Sequence, residues 1–220
     1  MEKTIHLLSA GIDSPVAGYL LVKSGIEPVF LTGDATPFAT NLTVDTATRL
    51  ASKIATHASK SLKMYVLPHG PNLAAIQAAW NQQELKYTCI FCKRMLYRVA
   101  KALAIQEGAQ AISTGEIIGE QASQTIDNMA LIQESVGSFV VIRPLLTWDK
   151  IDVIKLAREI GTFDISNSVK DPCKAVPKYP MTHGKIENYK HMEAKIDIQA
   201  LVDAAIAGLQ SFMVEPDDSQ

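Results

Sequence analysis

The chain of 220 residues has few cysteines, little net charge and no long apolar run. Its three cysteines cannot all pair as disulfides, so a metal-binding or catalytic role in a reducing compartment is favoured. The formal net charge of -2 argues against bulk electrostatic binding of nucleic acid, which neutralises many phosphates. No apolar stretch approaches the roughly 20 residues of a membrane-spanning helix, and the first residues lack a signal-peptide pattern. These absences predict a cytoplasmic protein with no membrane partner, whose RNA contacts, if any, are local or assisted.

Short runs rich in Val, Ile, Leu and Phe alternate with segments of helical spacing. The predicted strands are Thr4 to Leu8, Glu27 to Thr32, Lys63 to Leu67, Ala109 to Thr114 and Phe139 to Ile142. The predicted helices between them are Pro15 to Ser24, Thr43 to Ser61, Asn72 to Gln82, Lys93 to Glu107 and Gln121 to Glu134. This alternation predicts an α/β fold, a doubly wound parallel sheet of about five strands with helices on both faces. Ligands of such a sheet bind beyond the carboxyl ends of its strands.

The last part of the chain is predicted to be helical around a proline-containing loop. The helices are Asp149 to Ile160, Lys185 to Lys195 and Ile198 to Phe212, and the loop is Asp164 to Gly184. No internal repeat or low-complexity linker divides the chain. We therefore expect one domain over residues 1–214 and an acidic, disordered tail over residues 215–220.

The segment from Leu7 to Pro15 runs from a predicted strand directly into a predicted helix, with Ser14 placed to cap that helix. Backbone amides and the positive end of the helix then face one point, where a phosphate can bind. Ser9 and Ser14 can add hydroxyl donors, and Gly11 permits close approach of the backbone. A tight, serine-capped turn is the plainer interpretation. Neither a Walker loop nor a Gly-x-Gly-x-x-Gly fingerprint occurs, so the usual kinase and dehydrogenase loops are excluded.

The same segment resembles the Ser-Gly-Gly-x-Asp-Ser signature of the PP-loop ATP pyrophosphatases, whose fold is of the adenine nucleotide alpha hydrolase type. Ala10 stands where that signature has its first glycine. The resemblance implies that ATP is split at the α-phosphate and that AMP is left on a substrate oxygen. Asp13 is expected to hold Mg²⁺ or to orient the loop, because a carboxylate does not attract phosphate directly.

Further motifs follow in a characteristic order. They are Cys89 to Leu96, Thr114-Gly115-Glu116, Ala122 to Thr125, Arg143-Pro144-Leu145, Asp149-Lys150, Asp171-Pro172-Cys173 and Pro180-Met181-Thr182. In this order and spacing they resemble the catalytic domain of the tRNA 4-thiouridine sulfurtransferase family. That family also serves thiamine thiazole synthesis in some organisms. The resemblance covers nearly the whole chain.

The resemblance implies a set of site residues. The ATP site would comprise Leu8, Ser9, Gly11, Ser14, Thr32, Gly33, Lys93, Gly115 and Gln124, and the catalytic residues would be Asp13, Lys150 and Cys173. Gly115 is expected where a side chain would block the nucleotide, and Lys93 or Arg94 is expected to contact phosphate. An ammonium at Lys150 could stabilise charge that develops as pyrophosphate leaves. An ordinary first-turn lysine is the alternative, although a helix N-terminus disfavours a cation.

The cysteines suggest sulfur chemistry. Cys173 matches a family cysteine near the active site and is a candidate to carry a persulfide. Cys89 and Cys92 depart from the better-known bacterial members, and with Cys173 they could supply three ligands to an iron–sulfur cluster, 3Fe-4S or 4Fe-4S. Buried small hydrophobes and a redox-active dithiol are the alternatives. Zinc is disfavoured because no histidine spacing provides an obvious fourth ligand.

The family resemblance implies an ATP-dependent tRNA sulfurtransferase that adenylates a uridine carbonyl oxygen and replaces it with sulfur, using ATP and Mg²⁺. The family's N-terminal RNA-binding region is not found here, so a separate RNA-binding partner protein is expected to present the tRNA. Two basic groups are candidates for local RNA contact, unless they are ordinary solvated side chains: Lys93, Arg94 and Arg98, and Lys174, Lys178 and Lys185. A donor protein or sulfide would supply sulfur, and a homodimer is expected because family members often dimerise. An enzyme that activates a small molecule and a non-catalytic nucleotide- or metal-binding module are the alternatives.

Overall fold

A six-stranded sheet forms the centre of the computed structural model, which describes residues 2–168 and 171–217. The strands are β1 (Lys3–Leu7), β2 (Glu27–Asp34), β3 (Leu62–Pro68), β4 (Ala111–Ser113), β5 (Val140–Ile142) and β6 (Gln210–Val214). Their order is β5-β4-β1-β2-β3-β6, and every neighbouring pair is parallel except β3 and β6. The predicted doubly wound α/β fold is confirmed, and the described sheet has one strand more than the five predicted.

Helices cover both faces of this sheet. They are α1 (Asp13–Lys23), α2 (Leu42–Ala58), α3 (Gly70–Ala79), α4 (Thr88–Glu107), α5 (Ile126–Glu134), α6 (Lys150–Glu159), α7 (Phe163–Asn167), α8 (Ile186–Glu193) and α9 (Ile198–Ala207). Successive residues of a strand point to opposite faces, so Val29 and Leu31 pack in the core with α3, α4 and α9. Phe30 between them packs in the core beneath α2. Both faces of β2 are therefore apolar, as expected for a buried parallel strand.

The C-terminal part differs from the prediction. The expected helix Ile198 to Phe212 ends at Ala207, and the following residues form β6, antiparallel to β3. Helix α7 lies partly inside the segment predicted as a loop. Residues 215–217 bond to α2, since Ser52 Oγ donates to the carbonyl oxygen of Glu215 at 2.6 Å. Residues 218–220 of the predicted tail lie outside the described residues.

The strand order fixes where a ligand can bind. The chain moves outward from β1 through β2 to β3, then returns to the other side of β1 with β4 and β5. The segments after β1 and β4 therefore diverge around a crevice at the carboxyl edge of the sheet, which is the usual ligand position in such folds. Within residues 2–168 and 171–217, no helix combines the length and the apolar character needed to span a bilayer.

Candidate active site

The loop between β1 and α1 is closed by its two serines. Ser9 donates its backbone N–H to Ser14 Oγ at 2.8 Å, and the two hydroxyl oxygens lie 2.9 Å apart. The N–H of Gly11 donates to Ser9 Oγ at 3.3 Å. Helix α1 already begins at Asp13, and Ile12 at its N-cap position makes no side-chain cap bond. The predicted capping role of Ser14 is therefore wrong, because its hydroxyl joins the two ends of the loop instead.

A buried histidine holds this loop to the sheet. His6 Nε2 lies 2.8 Å from the carbonyl oxygen of Ser14, and Nδ1 lies 2.6 Å from Ser113 Oγ. A carbonyl oxygen only accepts, so Nε2 carries the proton and the Ser113 hydroxyl donates to Nδ1. Burial lowers the pKa of His6 to about 4, although the bond to Ser14 opposes this shift, and the ring is neutral at pH 7. A histidine inside an apolar strand is the one sequence signal that could have pointed to this role.

The backbone of Gly115, which follows β4, packs against the backbone of the loop between β1 and α1. A Cβ atom at this position would lie 2.5 Å from the N and Cα atoms of Ser14 and 2.7 Å from the carbonyl carbon of Asp13. No side chain fits at these distances. The structure therefore requires glycine for the approach of the two loops, whereas we expected it to leave space for a nucleotide.

Lys150 and Asp13 meet in the crevice. Asp149 caps α6 by accepting the N–H of Ile151 at 2.7 Å, so Lys150 is the first residue of the helix. Its ammonium contacts the Asp13 carboxylate and lies 3.7 Å from Glu120 Oε2. These acidic partners offset the unfavourable position of a cation at a helix N-terminus. Two of the three predicted catalytic residues are thus in contact.

A buried carboxylate that we did not predict organises the predicted ATP ligand Lys93. Glu116 Oε1 lies 2.8 Å from the Lys93 ammonium, and Oε2 accepts from Tyr97 (2.8 Å), Arg143 (2.9 Å) and Thr114 (3.2 Å). Burial alone would raise the pKa of Glu116, but Lys93, Tyr97 and Arg143 outweigh it and lower the pKa to about 2. Glu116 is therefore ionised and fixes Lys93 beside the crevice. Its partners are scattered along the chain, so the sequence did not reveal them.

The remaining predicted ATP residues lie at the same edge of the sheet. Thr32 and Gly33 lie among the last three residues of β2, which continues to Asp34, two residues beyond its predicted end. The side chain of Leu8 is buried in the core, which leaves its backbone for any ligand contact. Gln124 is also buried, and its Oε1 has no hydrogen-bond partner among the described residues. A buried acceptor without a partner is costly unless a ligand or water donates to it.

The three cysteines lie near one another. Cys89 and Cys92 are in the first turns of α4, inside the helix and not before it as predicted, and Cys173 is in the loop after α7. Burial raises the pKa of the Cys92 thiol to about 12, and the nearby Cys89 and Cys173 add to this shift. His69 Nε2 lies 3.1 Å from Cys92 Sγ, and Asn72 Nδ2 lies 3.2 Å from His69 Nδ1. Cys92 is therefore a thiol at pH 7, held against a buried imidazole.

The described geometry neither supports nor contradicts a metal cluster on the three cysteines. Within the described ranges, no three side chains of His, Cys, Asp or Glu are positioned to hold a metal ion. The iron–sulfur cluster on Cys89, Cys92 and Cys173 therefore stays a prediction without support from the geometry. We assign no chemical step to it. Magnesium binding by Asp13 likewise stays a prediction.

Residues 171–185, which we call the strap, begin beside the loop after β2. Asp171 Oδ2 accepts the N–H and the hydroxyl of Thr40, both at 2.7 Å. The N–H of Lys174 donates to the carbonyl oxygen of Phe38, also at 2.7 Å. Cys173 lies between these two anchors, so its position relative to the carboxyl edge of β2 is fixed from both sides.

The strap then passes to the starts of α4 and α5. The N–H of Met181 donates to the carbonyl oxygen of Lys86 at 2.9 Å, just before α4. The carbonyl oxygen of Met181 accepts from Asn128 Nδ2 at 2.8 Å. Thr125 Oγ1 donates to the carbonyl oxygen of Thr182 at 2.6 Å. Since α4 and α5 start at or near the carboxyl edge of the sheet, the strap crosses that edge.

The first predicted basic group is not formed as expected. Arg94 is only 1% exposed and bonds to the carbonyl oxygen of Leu131, to Glu134 and to Glu193. Arg98 makes a two-pronged ion pair with Glu193, at 2.7 and 2.9 Å. Arg94 therefore holds α4 to α5 and α8, and the expectation that it contacts phosphate or RNA is wrong.

Comparison with known proteins agrees with the fold. The family model described as thiamine biosynthesis protein (ThiI) matches residues 1–198. A crystal structure of a 4-thiouridine synthetase–RNA complex with bound ATP is 30% identical, with a TM-score of 0.90. The alignment covers 97% of this chain and 55% of that one, so this chain spans about half its length.

A second solved structure supports the fold alone. NMN synthetase from Francisella tularensis is 20% identical with a TM-score of 0.57, over 92% of this chain and 76% of that one. Its sheet and helices agree with the doubly wound architecture described above. The family match, which extends from β1 to the start of α9, shows more: this chain belongs to the ThiI family.

Proposed function

We propose that this chain is the ATP-using catalytic domain of a tRNA sulfurtransferase that forms 4-thiouridine. The observation that carries the proposal is the convergence of three parts at one edge of the sheet: the loop of Ser9 and Ser14, the Lys150–Asp13 pair and the strap with Cys173. The likeness to a 4-thiouridine synthetase solved with RNA and ATP supports the same conclusion.

ATP would bind with its phosphates over the loop. The N-terminus of α1 attracts negative charge, and Lys93 adds a cation held by Glu116. Gly115 brings the β4 loop against the same backbone, and Gln124 offers a buried acceptor without a partner among the described residues. Thr32 and Gly33 would contact the nucleotide at the end of β2.

In the first step, the carbonyl oxygen at C4 of a uridine attacks the α-phosphate of ATP. The bond to the β-phosphate breaks, pyrophosphate leaves and the base carries AMP. Lys150 would stabilise the charge that builds on the phosphate oxygens in the transition state. Asp13 and Glu120 hold its ammonium in place before the nucleotide arrives. Asp13 would also contribute to Mg²⁺ binding, which supplies further charge neutralisation when the metal is present.

In the second step, sulfur replaces AMP at the activated carbon. With sulfide as donor, hydrosulfide adds at C4 and AMP leaves with its electron pair, so no oxidation is needed. With a persulfide on Cys173, the terminal sulfur attacks C4 and AMP leaves. The persulfide sulfur itself comes from a persulfide on the donor protein. A second thiol then attacks the Cys173 sulfur, which forms a disulfide and releases the thiouridine, and two equivalents of an external thiol reduce that disulfide. The position of Cys173 between two anchors on the β2 loop supports either a carrier or a positioning role.

The test is thiouridine formation by the purified chain with ATP, sulfide and tRNA that lacks thiouridine. We expect AMP, pyrophosphate and 4-thiouridine to form in equal molar amounts, with 4-thiouridine measured by its near-ultraviolet absorbance. Pyrophosphate release with a small metabolite but not with tRNA would instead support a small-molecule acceptor. If the chain binds ATP but releases no pyrophosphate in the presence of tRNA and a partner protein, the proposed enzymatic activity is contradicted.

Several finer expectations stay predictions. They are delivery of tRNA by a separate RNA-binding protein, a sulfur donor protein, a homodimer, a cytoplasmic location and a link to thiamine thiazole synthesis. The first can be included in the same assay, since a partner that presents tRNA should lower the KM for tRNA without changing that for ATP.

A further inference from the structure

The strap exposes an aromatic ring close to Cys173. Tyr179 is 68% exposed, and Val176 before it is 52% exposed. Pro177 and Pro180 flank the tyrosine, and each proline fixes one backbone angle. A large ring held in solvent does not gain the free energy of apolar burial within the chain. The ring is therefore available to a ligand, with little entropy to lose on binding.

One lysine lies over this ring, and another is exposed on the same strap. Lys178 Nζ lies 5.4 Å from the centroid of Tyr179, within the range of a cation–π contact. Lys174 is exposed on the same strap, and neither lysine belongs to an ion pair within the part of the chain that the structure describes. By contrast, Lys93 and Arg98 are bound to carboxylates. Among the described residues, the strap thus presents exposed cations and an exposed aromatic ring on one segment.

We infer that Tyr179 is a stacking contact for an unpaired base of the RNA substrate, with Lys174 and Lys178 contacting the neighbouring phosphates. This inference rests on the proposed function and deepens it. A uridine that reacts at C4 must leave its base stack to reach a buried crevice, and proteins hold such bases on aromatic faces beside lysines. Tyr179 lies on the segment that carries Cys173 across the carboxyl edge, so a base stacked there is next to the crevice.

The hydroxyl of Tyr179 is not needed for this role, whereas its ring is. Tyr179→Phe keeps the stacking face and Tyr179→Ala removes it. Base stacking on an aromatic side chain corresponds to about a 5- to 100-fold change in affinity. A matched control is Phe212→Ala, which removes a 40% exposed aromatic ring from β6 at the far edge of the sheet.

The first measurement is tRNA-stimulated pyrophosphate release. We expect Tyr179→Ala to raise the KM for tRNA about 5- to 100-fold, with the KM for ATP unchanged. Tyr179→Phe and Phe212→Ala should both stay within about two-fold of the wild type. Lys178→Ala should reduce the slope of log affinity against log salt by about 0.7 to 0.9, the value for one lost phosphate contact.

The second measurement is a contact assay that does not depend on turnover. A short single-stranded RNA with one 4-thiouridine is irradiated in complex with the chain, and the crosslinked peptide is identified by mass spectrometry. We expect a crosslink on Tyr179 or its neighbours in the strap, which Tyr179→Ala abolishes.

The outcomes separate this inference from the proposed function. If tRNA stimulates pyrophosphate release equally in the wild type and in Tyr179→Ala, and the crosslinks lie outside residues 171–185, the stacking role alone is overturned. Failure of the wild type to bind RNA or respond to tRNA, with an RNA-binding partner protein present, would overturn both. Unchanged RNA kinetics with loss of binding to the sulfur donor protein would assign the exposed ring to a protein partner instead.

Discussion

The ammonium of Lys150 contacts the carboxylate of Asp13, and this pair joins the first residues of α6 and α1. Each residue occupies the positive end of a helix, which suits the carboxylate and disfavours the ammonium. The contact therefore keeps a cation where the backbone alone would repel it. We interpret this as a charge prepared for the α-phosphate, with Glu120 as a further acidic partner.

Replacement of Lys150 should affect chemistry more than binding. We expect Lys150→Ala to lower kcat for pyrophosphate release about 100- to 1,000-fold, the range for loss of one group that stabilises a transition state. The KM for ATP should change far less. Lys155→Ala, which removes an exposed lysine from the same helix, is the matched control. Full turnover by Lys150→Ala would show that its role is structural.

Gly115→Ala should separate the two loops. The added methyl group would lie 2.5 Å from the backbone of Ser14, so the β4 loop must move away from α1. We expect a lower melting temperature and weaker ATP binding by calorimetry. Gly11→Ala is the comparison for stability, because its Cβ would meet only Ser9 Oγ, at 3.4 Å. Equal melting temperatures for the two variants would contradict the proposed contact.

Acid should destabilise the fold through His6. Its pKa is about 4 in the folded chain, against 6.5 for an unperturbed histidine, so the unfolded state binds the proton more tightly. The contribution of His6 to the free energy of unfolding is complete above about pH 6.5. It falls by on the order of 3 kcal/mol as the pH is lowered towards about 4. Burial lowers the pKa of His69 in the same way, so it adds to the same window. Denaturant titrations across this range should give a shallower pH dependence for His6→Gln, and identical slopes would count against the buried neutral ring.

Asp171 should control how accessible Cys173 is. Its carboxylate accepts two hydrogen bonds from Thr40, which also lower the pKa of Asp171. Asp171→Asn weakens this anchor, and we expect Cys173 to be alkylated several times faster, as measured by mass spectrometry of the peptide. Asp152→Asn, at an exposed site on α6, should leave the rate unchanged. A rate that is the same in Asp171→Asn as in the wild type would show that Lys174 and Phe38 suffice to hold the strap.

The repeating part of the fold could be predicted from local patterns. Five apolar runs correspond to β1 to β5, and the glycine-containing loop lies between β1 and α1 as expected. Strand β6 was missed because Gln210–Val214 follows a helical segment directly and is fixed by pairing with β3, far away in sequence. Its local composition did not distinguish it from the end of α9.

The site was predictable in position more than in detail. Motif order predicted Asp13, Lys150 and Cys173 as site residues, and their catalytic roles stay predictions. The contacts of Glu116 and His6 depend on residues brought together only by the sheet. Arg94 shows the same limit, because a charged residue in a helix is usually solvated, and its burial depends on partners far away in sequence: Glu134, Glu193 and the carbonyl oxygen of Leu131. Local sequence patterns do not show which charged residues pair across long distances in the chain.

The proposed reaction requires the substrate's own carbonyl oxygen to attack the α-phosphate of ATP. The most direct measurement uses tRNA whose reactive uridine carries a heavy oxygen isotope at C4, with mass spectrometry of the AMP released during thiolation. We predict that AMP gains the heavy oxygen in proportion to the 4-thiouridine formed. Unlabelled AMP, or ADP in place of AMP, would contradict this mechanism.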